Sequence, residues 1–411
     1  MSEHGPIMTV FTSEPRSLVP EILAARLNAI NDVDWSDAIE SLERIEPAAV
    51  ITEVPAGRVD VFTQLADRIA IQQPYVPLIV LNPTTPLPLH ALPLAAVNGD
   101  ADRLIARLNA ALRVRALHDT MLRRIADQPT LARSCPDADP LQDASVLLLG
   151  RGGGYSALSV ALGEQLGLIG ALSMEAAAKH LNARDVDGIV IGEGFSDRVL
   201  EGFLCVLSED PRYRNLPVVA PATRRRKYDL PNLEFATGAP ETVIASALPL
   251  IWQHALEQRI IRTLRSIDAD GLIDARTGLL TPIAFARDFA AAVKQSQARG
   301  ASLSVARFTF ADSEPREQCD AARMVSRLMR RMDLGTLHED GTITAVFIDA
   351  GERNAGAIAK RLASVMKHTV YSARRGTRLD PHVTVETLAA GDTAESLLAR
   401  LTGLARRAAA S

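Results

Sequence analysis

Short apolar runs alternating with helical stretches occur twice in succession along this chain. That rhythm restricts the fold more than any other feature. In the first round "IMTVFTSEP" (7–15), "AAVITEV" (48–54) and "PLIVLNP" (77–83) read as buried strands. "SLVPEILAARLNAI" (17–30) and the long amphipathic "DADRLIARLNAALRVRALHDTMLRR" (100–124) read as helices. Strands alternating with helices imply βα units and a parallel sheet. The segment "ADQPTLARSCPDADPLQD" (126–143), rich in Pro and Asp, breaks the pattern as a linker would. The rhythm then resumes with "SVLLLG" (145–150), "YSALSVALGEQLG" (155–167), "VDGIVIGEG" (186–194), "DRVLEGFLCVLSEDPRYR" (197–214) and "LPVVAPA" (216–222). A last helix, "PETVIASALPLIWQHALEQRIIRTLRSI" (240–267), ends the second round. Two such rounds suggest a tandem duplication with little identity between the copies.

Composition bounds what such a chain can do. With 411 residues and 47% hydrophobic content it can bury several cores, roughly three at about 150 residues per domain. A net charge of −4 draws it neither to nucleic acid nor to a membrane surface. No apolar run approaches a membrane span, and no signal peptide is expected. Cys135, Cys205 and Cys319 lack metal-ligand or CxxC spacing, and the eight His do not cluster. A reduced cytoplasm and no metal site are the expectations.

From Asp268 the pattern changes to an α+β order. "DARTGLLTPIAFARDFAAAVKQSQARG" (274–300) is a turn and helix, "SLSVARFTF" (302–310) a strand, and "PREQCDAARMVSRLMRRM" (315–332) a helix. A hairpin follows, with Asp340-Gly341 a type I′ signal. "ERNAGAIAKRLASVMKH" (352–368), "HVTVETLA" (382–389) and "AESLLARLTGLARRAAA" (394–410) complete the domain as helix, strand and helix. The basic helical run carries Arg330 and Asp333 just before the hairpin, and a spacing of three would set both on one helix face.

The first two rounds resemble receiver domains of bacterial two-component signalling. In that family two acids after strand one and an Asp after strand three hold Mg²⁺ and accept phosphate, with a Thr or Ser after strand four and a Lys after strand five. Here Thr12 and Ser13 stand at the acid positions of the first copy, whose strand three ends at Thr52-Glu53, strand four at Asn82, and strand five at "AAVNGD" without Lys. The second copy has Gly150-Arg151, Gly192-Glu193 and Pro221. The resemblance therefore implies pseudo-receivers that serve dimerisation or docking. The loop "GRGGGYSAL" (150–158) reads as a tight turn or a phosphate cradle; it lacks GxGxxG spacing and a Walker Lys. Arg224 to Lys227, "RRRK", reads as a solvated loop or a dock for an acidic partner.

The third domain resembles the GGDEF domain of diguanylate cyclases. "DARTGLLTPIAF" is similar to that family's D-x-L-T-G-L-x-N-R-x-x-F, "HVTVETLAA" stands for V-T-V-S-I-G-V-A, and Glu339-Asp340-Gly341-Thr342-Ile343 falls on the signature itself. The whole chain resembles PleD- and PopA-type receiver–receiver–GGDEF response regulators. Two flavodoxin-like βα domains followed by an α+β nucleotidyl-cyclase-like domain are implied, at 1–128 and 144–265 (the latter with a helical stalk) and at 266–411, with a linker at 129–143.

The departures argue against catalysis. Cyclases need two carboxylates to hold Mg²⁺ against the triphosphate. Phe308, Thr309 and Phe310 surround the place where the strand carboxylate belongs, and Glu339 and Asp340 replace glycines that let guanine approach. "ADSEPREQCDAA" lacks the family's Lys-Asn-Asp set, and Thr281-Pro282 replaces its Asn-Arg. Asp312, Asp340 or Glu339 remain as possible cation ligands. What survives is an R-x-x-D motif, Arg330 to Asp333, five residues before the signature, with Arg361 where a second inhibitory-site Arg is expected and Arg331 alongside. An Arg fork suits a guanine edge or a phosphate, and an Asp accepts from guanine N1 and N2. A bare i,i+3 ion pair is the competing reading.

The resemblance thus implies a non-catalytic effector that binds cyclic di-GMP at an inhibitory-type site, needs no cofactor, and forms a homodimer. It further implies protein partners in cell-cycle control or proteolysis, with polar recruitment. A ligand-independent scaffold and a residual cyclase are the alternatives.

Overall fold

A computed structural model of the chain describes residues 5–11, 30–95, 101–127, 139–221, 228–311, 313–367 and 379–409. Residues 17–29 of the helix expected over 17–30, Thr12, Ser13, Arg224 to Lys227 and Asp312 lie outside them, as does most of the segment 126–143; Ile30 begins a strand instead.

The first sheet contains β1 (Ile7–Val10), β2 (Ile30–Val33), β3 (Ala49–Glu53), β4 (Leu78–Leu81) and β5 (Ala91–Leu94). All pair in parallel, in the order β2-β1-β3-β4-β5. Helices α1 (Ala38–Ile45), α2 (Val59–Ala70) and α3 (Ala101–Asp127) cover its faces. The second sheet repeats the arrangement with β6 (Ser145–Leu149), β7 (Gly167–Ala171), β8 (Gly188–Ile191), β9 (Val218–Ala220) and β10 (Leu233–Phe235). Its order, β10-β9-β8-β6-β7, is also parallel and is the same 2-1-3-4-5 winding. Helices α4 (Tyr155–Gly163), α5 (Met174–Ala183), α6 (Asp197–Glu209) and α7 (Pro240–Asp268) pack on it. Most strands are buried on both faces, which is why their sequences run as unbroken apolar stretches.

Several elements depart from expectation. β2, β7 and β10 are short and partly polar or Gly-rich ("INDV", "GLIGA", "LEF"), and they gave no clear signal. β5 forms at Ala91–Leu94 despite Pro93, immediately before "AAVNGD" rather than in it. It tolerates the proline because it lies at the sheet edge.

The third sheet is four-stranded and antiparallel, in the order β12-β13-β11-β14, from β11 (Leu303–Phe310), β12 (Leu334–Leu337), β13 (Ile343–Ile348) and β14 (Pro381–Thr387). Its helices are α8 (Pro282–Arg299), α9 (Pro315–Leu328), α10 (Glu352–Lys367) and α11 (Ala394–Ala409). α7, α8 and α9 each begin with proline at the first turn, where its missing N–H costs nothing.

The parts are joined by helix packing and by buried charge. α3 and α7 pair through Val114, Leu117, Met121, Trp252, Leu256 and Ile260. Between the first two sheets Arg107, fully buried, donates to the carbonyls of Pro93, Pro231 and Leu233 and lies beside Glu234, with Arg103 on the same carboxylate. Arginines at 316, 323 and 327, on one face of α9, hold the third domain to the second. Arg316 donates to the Ala144 carbonyl, Arg323 pairs with Asp143 at 3.2 Å, and Arg327 pairs with Asp185. Among the described residues no helix is long and apolar enough to cross a membrane.

Glu234→Ala would leave the Arg107 guanidinium buried without a carboxylate. A stability loss of about 3 kcal/mol in urea unfolding is expected; an unchanged midpoint would show that the three carbonyls alone satisfy Arg107.

Candidate functional site

α9 ends at Leu328, and Met329 turns extended (φ −70°, ψ 155°). The expectation that Arg330 and Asp333 share a helix face is therefore corrected: both lie in a turn beyond the helix. Met329 N–H still closes on the Val325 carbonyl at 3.0 Å, and Asp333 N–H donates to the Arg330 carbonyl at 3.0 Å. The Asp333 carboxylate fixes this turn. Oδ2 accepts from Arg330 N–H and Oδ1 from Ile348 N–H, both at 3.2 Å, which ties the turn to the end of β13. Burial pushes its carboxyl above the ordinary range, while the two amides and the Arg330 charge pull the other way. Arg330 and Arg331 are exposed, and their guanidinium groups make no hydrogen bond or ion pair among the described residues. Arg361 is likewise exposed on α10, whose Ala355, Ala359 and Leu362 face the core. The structure brings Arg330, Arg331 and Asp333 into one turn; among the described residues no hydrogen bond or ion pair joins Arg361 to them.

The hairpin tip is a three-residue loop rather than the expected type I′ turn. Gly341 N–H donates to the His338 carbonyl at 3.0 Å and His338 N–H to the Thr342 carbonyl at 2.8 Å. Only Gly341 has positive φ (+78°), the pattern of a type I turn closed by a G1 bulge. A Cβ at Gly341 would meet only the movable end of the Gln318 side chain, at 2.3 Å, so it is the positive φ that favours glycine here.

Asp340 serves this loop. Its Oδ1 accepts from Thr342 N–H at 3.0 Å and Thr342 Oγ1 at 2.7 Å, and its Oδ2 pairs with Arg307 at 3.1 Å. Glu339 is exposed; Thr342 and Ile343 are buried, Ile343 in the domain core. Sequence reasoning missed Arg307. Weighing Phe308 to Phe310 as the carboxylate position overlooked the residue before them, which alternation turns to the opposite face from Phe308. Arg307 reaches Asp340, Thr342 and Thr402, so a cation faces the tip from the central strand. Among the described residues no group of three His, Cys, Asp or Glu is placed to hold a metal.

The turn "DARTG" supports the hairpin from below. Asp274 Oδ1 accepts from Arg276 N–H, Thr277 N–H and Thr277 Oγ1 at 2.7–3.1 Å, while Leu280 N–H donates to the Gly335 carbonyl and Thr336 Oγ1 to the Leu280 carbonyl.

No protein-family model matches the chain, and no curated protein does. About a third of the chain is similar to solved GGDEF domains. The coiled coil and GGDEF domain of DgcB from Caulobacter crescentus, in complex with c-di-GMP, is 12% identical over 36% of this chain and 84% of that one, with a TM-score of 0.31. A sensory box/GGDEF family protein from the same organism is 22% identical over 32% and 93%, with a TM-score of 0.27. The GGDEF domain of FimX from Pseudomonas aeruginosa is 19% identical over 34% and 93%, with a TM-score of 0.29. At these identities and TM-scores no residue role carries over to this chain.

Asp333→Ala removes the acceptor of two amides and loosens the turn from β13. A stability loss of about 1–3 kcal/mol, with faster amide exchange at Ile348, is expected; wild-type exchange there would contradict the role assigned to Asp333.

Proposed function

We propose that this chain is a non-catalytic cyclic di-GMP effector, with a degenerate GGDEF-type domain behind two pseudo-receivers. The carrying observation is the division of labour at the turn and tip. Asp333 and Asp340 use their oxygens to hold backbone in place, while Arg330 and Arg331 stand exposed with uncommitted guanidinium groups. A preorganised turn presenting two Arg suits a ligand with two phosphates and two guanines. A carboxylate has about four lone-pair sites, so Asp333 retains capacity to accept from guanine N1 and N2 after binding two amides. Arg361 would join from α10.

Three features support the absence of turnover. Asp340 is held by Arg307, Phe308 to Phe310 offer no carboxylate on the strand, and the tip carries side chains at Glu339 and Asp340. The pseudo-receiver reading is supported by the shared 2-1-3-4-5 winding, which sets the ligand crevice at the strands' carboxyl ends. In the second domain that edge carries Arg151, whose guanidinium lies over Phe195 at 5.1 Å and donates to the Gly194 carbonyl. Ligand binding would bias domain arrangement and, through it, the affinity for a second copy or for a partner in cell-cycle proteolysis at a cell pole.

Titration calorimetry with cyclic di-GMP tests the reading. Arg330→Ala is expected to weaken binding by roughly one to two decades, the worth of a bidentate Arg–guanine contact, and Glu339→Ala to leave it unchanged. Absence of wild-type binding at high micromolar ligand would return the chain to a ligand-independent scaffold. Incubation with GTP and Mg²⁺ is expected to give no cyclic di-GMP; product above a protein-free blank, lost in Asp340→Ala, would restore the cyclase reading.

A further inference from the structure

A cavity of about 300 Å³ lies where the second domain, α7 and the third domain meet. Arg184 from the second domain, Arg262 and Arg265 from α7, and Arg323 and Arg327 from α9 line it. Four carboxylates line it too, but three are already committed. Asp185 pairs with Arg327, Asp187 accepts from Ser145 N–H at 2.8 Å and lies 3.6 Å from His254, and Asp274 holds the amides of its own turn. Asp320 is buried and also engaged.

The arginines of α7 are in a different state. Arg262 Nε is buried, with no acceptor in reach among the described residues. Arg265, one turn on, is exposed at the cavity and makes no hydrogen bond or ion pair through its side chain among the described residues. A buried guanidinium donor without an acceptor is costly, and an anion is the acceptor that relieves it most strongly, through a charge-assisted bond. Asp187 and Asp143 act on Arg262 only through space, and burial pushes its guanidinium down to about 10.

We infer that this interdomain cavity binds a phosphate group, free or carried on a small phosphomonoester, between Arg262 and Arg265. Both sit on one face of α7, three residues apart, so their forks converge on one anion. Arg184 and Arg327 approach from the two domains, so the bound anion would clamp the third domain against the second. This site shares no residue with the Arg330 turn.

The test is calorimetry on the full chain at constant ionic strength, with inorganic phosphate and with adenosine 5′-monophosphate. Saturable binding of at least one probe is expected; a preference for the nucleotide identifies a phosphomonoester, and equal affinity identifies the free ion. Arg262→Gln should weaken binding roughly tenfold to a hundredfold, the loss of one charge-assisted hydrogen bond. Should Arg262→Gln fail to fold, the exposed Arg265→Gln carries the same expectation. Arg330→Ala should leave both probes unaffected. No binding of either probe at millimolar concentration, or full affinity in a folded Arg262→Gln or Arg265→Gln variant, would overturn the assignment.

Discussion

Burial of α7 is the constraint on which the rest of the molecule depends. Leu250 belongs to the core of the first domain, Val243, Ala247 and Ile251 to that of the second, and Ile260 packs with Val114 against α3. Gly188 on β8 lets the helix come this close, since a Cβ there would lie 2.7 Å from Ile251. The helix continues through Pro249, a residue that removes one ladder bond, with its neighbours buried on either side, Leu248 in the second domain's core and Leu250 in the first's. Beyond Asp268 the chain folds straight back, with Ser266 Oγ donating to the Ile273 carbonyl, into the turn that supports the hairpin. The position of the third domain is thus set by one helix and by the arginine face of α9.

Within the third domain, short-range hydrogen bonds decide which charges are available. Carboxylates at Asp274, Asp333 and Asp340 each hold a turn by accepting backbone amides. Such acceptors stiffen loops, and what remains for a ligand is the lone-pair capacity the amides leave open. The arginines divide in the same way. Arg307, Arg316, Arg323 and Arg327 bind within the protein, whereas Arg330, Arg331 and Arg361 point to solvent. The proposed ligand recognition by the outward set and the proposed loss of chemistry at the tip are compatible, because the two draw on different residues.

The sequence was most legible where burial is complete on both faces. β3, β4 and β6 are largely continuous apolar runs and were placed within a residue or two, and β8 within three. Edge strands such as β2 and β10 carry polar residues and depend on their neighbours for identity. The end of α9 was misjudged because "LMRRMD" continues a helical pattern while Asp333 gains more from two backbone amides outside the helix. The Asp-Gly pair marked a hairpin correctly, but not its turn type, which the Asp340–Thr342 bonds select. Arg307 and the Arg262 cavity were invisible for a common reason: their meaning lies in partners more than thirty residues away, or in the absence of one nearby.

Hydrogen exchange with and without cyclic di-GMP tests the central claim most directly. The account expects added protection at the amides of 329–334 and at Ile348, with little change at Glu339 to Thr342. Protection centred on the hairpin tip, or none at saturating ligand, would contradict it.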